Sequence, residues 1–125
     1  MRLEITGETV SSYSEAYRHE CECRAILRMA TRDERAKAIS AVAARRGTEC
    51  AVKLKRDALL IHMLRLPAER LDDGDAPVDA FLNNIAAKEG LQFARSLRES
   101  YDAALDALAR NLENHLEPEI PQAAP

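Results

Sequence analysis

Residues 58–64 read Ala-Leu-Leu-Ile-His-Met-Leu. Wound as an α-helix, this stretch is apolar around almost its whole circumference, and such a helix needs neighbours on more than one side. They come either from the second half of the same chain or from a subunit interface. The composition says what kind of neighbours these are. Twenty-two Ala stand against five aromatics and no Trp, which leaves a core of Leu, Ile, Ala and Val suited to closely packed helices. With 125 residues, 46% of them apolar and 31% charged, one compact domain is expected. The fold class expected is all-α: a bundle of about five helices ending in a long, heptad-like one.

Local signals place those helices. Residues 1–11 show only a weak alternation of Leu3, Ile5 and Val10 around Gly7, a stub of strand or an arm and too little for a sheet. Ser12 with Glu15 matches a capping box, so the first helix is expected from about Tyr13 to Met29, turning Tyr13, Tyr17, Cys21 or Ala25, Ile26 and Leu27 inward. Thr31 with Glu34 repeats the box and opens a second helix carrying Ala36, Ile39, Val42 and Ala43 at helical spacing. Arg45, Arg46 and Gly47 close it. Thr48 is expected to cap a third helix that Pro67 stops. Pro67 to Pro77, acidic and containing Gly, reads as an exposed connection. Asp75 and Pro77 then open a fourth helix with Val78, Phe81, Leu82 and Ile85 as its buried stripe.

After Gly90 the spacing becomes long and regular, with Ala94, Leu97, Tyr101, Ala104 or Leu105, Leu108, Leu112, and His115 or Leu116 alternating by threes and fours. That seam either lies on the preceding helices or joins two copies. Leu97, Tyr101, Leu105, Leu108 and Leu112 are the residues assigned to a homodimer interface. Residues 1–66 thus form a three-helix half, 67–77 a connection, 78–117 a two-helix half packed on the first as one domain, and 118–125 a disordered tail.

Charge divides along the same line: residues 1–66 carry 13 Lys/Arg and 9 Asp/Glu, net +4, and residues 67–125 carry 5 and 12, net −7. The halves either complement one another or address separate partners. No apolar run reaches the ~20 residues needed to span a bilayer, and no basic and apolar leader opens the sequence. Three cysteines, two of them separated by one residue, do not form the even framework of a secreted disulfide domain. A cytoplasmic protein is expected.

Chemistry-bearing constellations are sparse. His19 and Cys23 are one helical turn apart, but Cys21 is rotated by about 200° from His19. Cys50 and His62 lie roughly 18 Å apart along a helix, too far to complete one tetrahedral site. No metal or other cofactor is expected, and Cys21 or Cys23 is expected to pack as a small hydrophobe. Cys50, in the first turn of the third helix, is the best-placed nucleophile. No phosphate loop, GxSxG or HExxH accompanies it, so no catalytic residue is assigned and the protein is expected not to be an enzyme.

Two binding surfaces remain. Arg45, Arg46, Lys53, Lys55 and Arg56, around a Gly47 spaced as in a helix-turn-helix unit, could contact nucleic acid. Lys53 and Arg56, however, stand where that unit buries apolar side chains. Acidic residues of the second half, Asp72, Asp73, Asp75, Glu99, Asp102 and Asp106, form a face that could engage a basic surface on a protein partner.

The stretch Tyr17-Arg18-His19-Glu20-Cys21-Glu22-Cys23-Arg24-Ala25-Ile26-Leu27, followed by Met29, Thr31, the Arg-rich second helix and Arg45-Arg46-Gly47, resembles a family of small uncharacterised proteins encoded by tailed phages and prophages. The resemblance covers residues 13–60 and implies a phage accessory protein acting inside a bacterial cell. The function expected is therefore non-enzymatic binding of a host protein, modulating or inhibiting a host complex in the manner of an anti-CRISPR protein, by a homodimer. A small nucleic-acid-binding regulator is the alternative.

Overall fold

A computed structural model describes residues 1–67 and 77–116. They form five helices: α1 (Glu15–Arg28), α2 (Arg32–Arg46), α3 (Thr48–Leu64), α4 (Pro77–Glu89) and α5 (Leu91–Leu116). The all-α bundle is as the periodicity predicts. Most of the acidic connection, with Asp72, Asp73 and Asp75, lies outside the described residues, as does the tail from residue 117.

The apolar stretch of α3 sits at the centre. Ala51, Leu54, Ala58 and Ile61 face Cys23 and Ile26 of α1 and Val42 of α2. Leu60 and Met63 face the other way, into a second cluster with Val78, Leu82 and Ile85 of α4 and Ala94, Leu97, Tyr101 and Ala104 of α5. Ile61 and Met63 are fully enclosed. The helix that needs cover on several sides therefore finds it within its own chain.

This arrangement corrects the assigned dimer seam. Leu97 is completely buried and Tyr101 nearly so, so neither can meet a second copy. The α5 stripe serves the core through Ala104, then emerges: Leu105 and Leu112 are exposed, while Leu108 is half-buried against the N-terminal segment.

Helix boundaries follow local chemistry. The Thr31 hydroxyl accepts from the Glu34 amide at 3.1 Å, which realises the hydroxyl half of the second capping box. At α1 the cap is Ser14 rather than Ser12, its hydroxyl accepting from the Tyr17 amide at 3.2 Å. The inward face of α1 shifts accordingly: Glu20, Cys23 and Ile26 are buried, whereas Tyr13 and Cys21 are exposed and Tyr17 is half-buried. Ala36 of α2 is exposed as well. Gly47 closes α2 and opens α3 as a single linking residue at φ +99°, so Thr48 is the first helical residue and not the cap. Gly90, at φ +102°, joins α4 to α5 in the same way. Positive φ of this kind is tolerated by glycine alone without strain.

Residues 1–11 build no sheet, as the weak alternation predicts, and are not a free arm but a small hairpin. Arg2 and Thr9 form one antiparallel bridge, supported by Leu3 N–H donating to Glu8 C=O at 2.9 Å and Val10 N–H donating to Met1 C=O at 2.7 Å. Gly7 takes φ +79° in its turn. Leu3 is buried, and Ile5 packs against both core clusters.

Candidate functional site

The hairpin lies beside a groove of about 690 Å³ between α1 and α3, floored by Leu3, Ile5 and Leu54, with Arg18, Lys53 and Cys50 among its rim residues. Inside it, His19 of α1 meets Asp57 of α3, with Nε2 and Oδ2 2.7 Å apart. The carboxylate can only accept from a ring N–H, so Nε2 carries the proton in this pair. The Cys23 thiol lies 3.8 Å from that same Nε2 and donates to the Leu54 carbonyl at 4.0 Å.

A Cys-His-Asp relay needs the thiol and the carboxylate on different ring nitrogens; here both address one. Cys23 is also fully enclosed, and burial, followed by the nearby Asp57 and Glu20 charges, pushes its thiol up to about 12. These three residues brace α1 against α3 and present no reactive thiolate. Among the described residues, no group of three or more His, Cys, Asp and Glu side chains is placed to hold a metal ion. His62 instead packs on the Phe81 ring, with centroids 4.9 Å apart. Burial, and then Arg65, holds its imidazole below the usual histidine range.

A denser polar construction lies under the hairpin. The carboxylate of Glu20, only 3% exposed, accepts from the backbone amides of Glu4 at 2.7 Å and Ile5 at 3.0 Å. Arg24, one helical turn further on, reaches the same carboxylate at 3.2 Å. The Glu4 side chain turns back between two guanidinium groups, with Arg24 Nε at 2.7 Å and Arg65 Nε and Nη2 at 3.0 and 2.9 Å. Charge-assisted, forked contacts of this kind are the stronger class of hydrogen bond. Arg65 in particular, opposed by burial and helped by Arg24, holds the Glu4 carboxyl below the usual carboxylate range. From α5, Asn111 Nδ2 donates to the Thr6 carbonyl at 2.7 Å. Glu20 and Arg24 form an i,i+4 pair that the sequence alone could show, but their contacts with the hairpin, and those of Glu4, Arg65 and Asn111, carry no local signal, because the partners lie up to 105 residues away.

The residues assigned to nucleic acid do not share one face. Arg46 is paired with Glu22 of α1 at 2.6 Å. Lys55 points to α4, 2.7 Å from Glu89 and over the Phe93 ring. Arg56 Nε lies 3.7 Å from Asp57 Oδ1 with no hydrogen-bond partner. Arg45 and Lys53 are exposed, and no ion pair involves them among the described residues. The acidic face of α5 is likewise mixed. Glu99, Asp102 and Asp106 are exposed, but Arg95 and Arg110, also exposed, fall on the same helical stripe. Arg98 holds Asp102 at 3.4 Å and Asp79 at 3.0 Å.

Residues 10–65 match a family described as "Family of unknown function (DUF7696)". The match spans α1 to α3, including Glu20, Arg24, Asp57 and Arg65, and leaves out most of the hairpin and all of α4 and α5. No curated protein and no solved structure matches the chain.

Proposed function

We propose that the protein acts without catalysis, by binding another protein through the outward face of α5. The observation that carries this reading is the exit of the α5 apolar stripe from the core. Ala94, Leu97, Tyr101 and Ala104 are buried, and then Leu105 and Leu112 stand 43% and 56% exposed, with exposed Asp102 one turn before Leu105 and exposed Asp106 next to it in the chain. An apolar strip flanked by charge has the make-up of a contact surface with a polar rim. No helix among the described residues is long and apolar enough to cross a membrane. The resemblance to phage-encoded proteins supplies the setting of the proposal: a phage or prophage accessory product in a bacterial cytoplasm, with a host complex as partner and a second copy of the chain as a competing occupant of the strip.

Affinity chromatography from bacterial lysate tests this reading, with a Leu105→Asp/Leu112→Asp chain as control and light scattering on both. A protein retained by the native chain and lost from the control supports it; identical retention by both overturns it. A mass that halves in the control assigns the strip to a homodimer.

Nucleic-acid binding through Lys53 and Arg18 at the α1–α3 groove, together with Arg45 of α2, is the second reading, supported by the exposure of all three. It requires a gel shift that weakens steeply with salt and disappears in Arg45→Glu/Lys53→Glu.

A further inference from the structure

The contacts that hold residues 1–11 define a binding seat. Glu20 offers two carboxylate oxygens to two consecutive backbone amides. Arg24 and Arg65 bracket a carboxylate carried on the first of those residues. The second residue inserts a β-branched side chain where the two core clusters meet. Asn111 donates to the carbonyl of the residue that follows. What fits is a turn containing an acidic residue followed by an aliphatic one, and the chain's own Glu4-Ile5-Thr6 supplies it.

The occupant is weakly self-supporting. It has one antiparallel bridge and a few backbone bonds, and an isolated two-stranded hairpin is marginal in water. Leu3 borders two open grooves, of about 690 and 410 Å³. Its link to α1 runs through exposed Ser12 and Tyr13.

We propose that this seat is a recognition site for an acidic–aliphatic turn segment of a partner protein, and that the hairpin is its resident occupant, a strap that such a segment replaces. The seat borders the end of the exposed α5 strip, since Leu112 lines one of these grooves, but the proposal rests on the seat's own contacts and not on the strip. A tethered strap competes at an effective concentration of the order of millimolar. A partner segment therefore gains access only when it binds more tightly than the strap or when the strap is weakened.

The test uses the full chain with the strap weakened, Glu4→Gln/Ile5→Ser, and a fluorescent peptide copying residues 1–11. The peptide is expected to bind this variant at least tenfold more tightly than the unaltered chain. Adding Arg65→Ala to the variant loses at least tenfold, and a peptide carrying the same two substitutions does not bind. Equal affinity for all three chains, or no binding to the variant up to millimolar peptide, overturns the proposal. Should the variant not fold, hydrogen exchange on the unaltered chain decides. The amides of Leu3, Glu4, Ile5, Gly7 and Val10 are expected to exchange together, at least 100-fold faster than those of Ile61 and Met63. Exchange only at the rate of global unfolding overturns the strap.

Discussion

Replacing Glu20 by Ala removes the anchor of the hairpin and leaves the rest of α1 intact. The carboxylate is almost fully enclosed and satisfies two half-buried backbone amides and one guanidinium N–H. A buried donor stripped of its partner costs about 1–3 kcal/mol, and partial access of water to Glu4 and Ile5 places each amide near the low end of that range. Arg24 keeps its contact with Glu4, so its loss is smaller. Together these give about 2–4 kcal/mol, with a ceiling set by the docking free energy of the hairpin itself. In a chain of this length that corresponds to a fall in Tm of roughly 8–16 °C. Glu20→Gln, which keeps one acceptor and turns an NH₂ toward the other amide, is expected to fall between Glu20→Ala and the native chain. Glu22→Ala, in an exposed pair with Arg46, is expected to leave the midpoint unchanged. Urea denaturation followed by circular dichroism measures all three. A loss below about 0.5 kcal/mol for Glu20→Ala, the range of an ordinary surface substitution, would refute the anchoring role.

Three further outcomes follow from the same geometry. Glu4 has a folded pKa below its ordinary value of 4.5, so its stabilising contribution is present above pH 4.5 and is lost as pH falls through the lower, folded value. Glu4→Gln is expected to flatten the acid limb of stability measured from pH 5 to pH 3, and an unchanged slope would contradict the Arg65 and Arg24 contacts. Gly7→Ala would place Cβ 3.0 Å from Leu108 Cδ2 at φ +79°, whereas Gly90→Ala at φ +102° meets nothing within 4 Å. The expected costs are about 2 kcal/mol or more and about 1 kcal/mol, and thermal melts showing the reverse order would refute the contact between hairpin and α5. Alkylation with iodoacetamide at pH 8 is expected to add two groups to the native chain, at exposed Cys21 and Cys50, and a third at Cys23 only in denaturant. A third addition to the native protein, seen by intact mass, would show that Cys23 is not enclosed.

The sequence alone determined the elements whose causes are local. The Thr31 and Glu34 cap, the stop at Gly47, the break at Gly90 and the all-round apolar stretch of α3 act within a turn or two of the chain, so they are legible one segment at a time. Tertiary structure decided the rest. Glu20 reads as a solvent-facing charge until two amides 15 and 16 residues away turn toward it. The α5 stripe reads as a seam for any partner until Leu60 and Met63 claim its first half. The basic residues around Gly47 read as one face until Arg46 and Lys55 pair with different helices. A side chain's periodicity fixes which way it points on its own helix, but its partner depends on how distant segments close around it, and no local pattern encodes that closure.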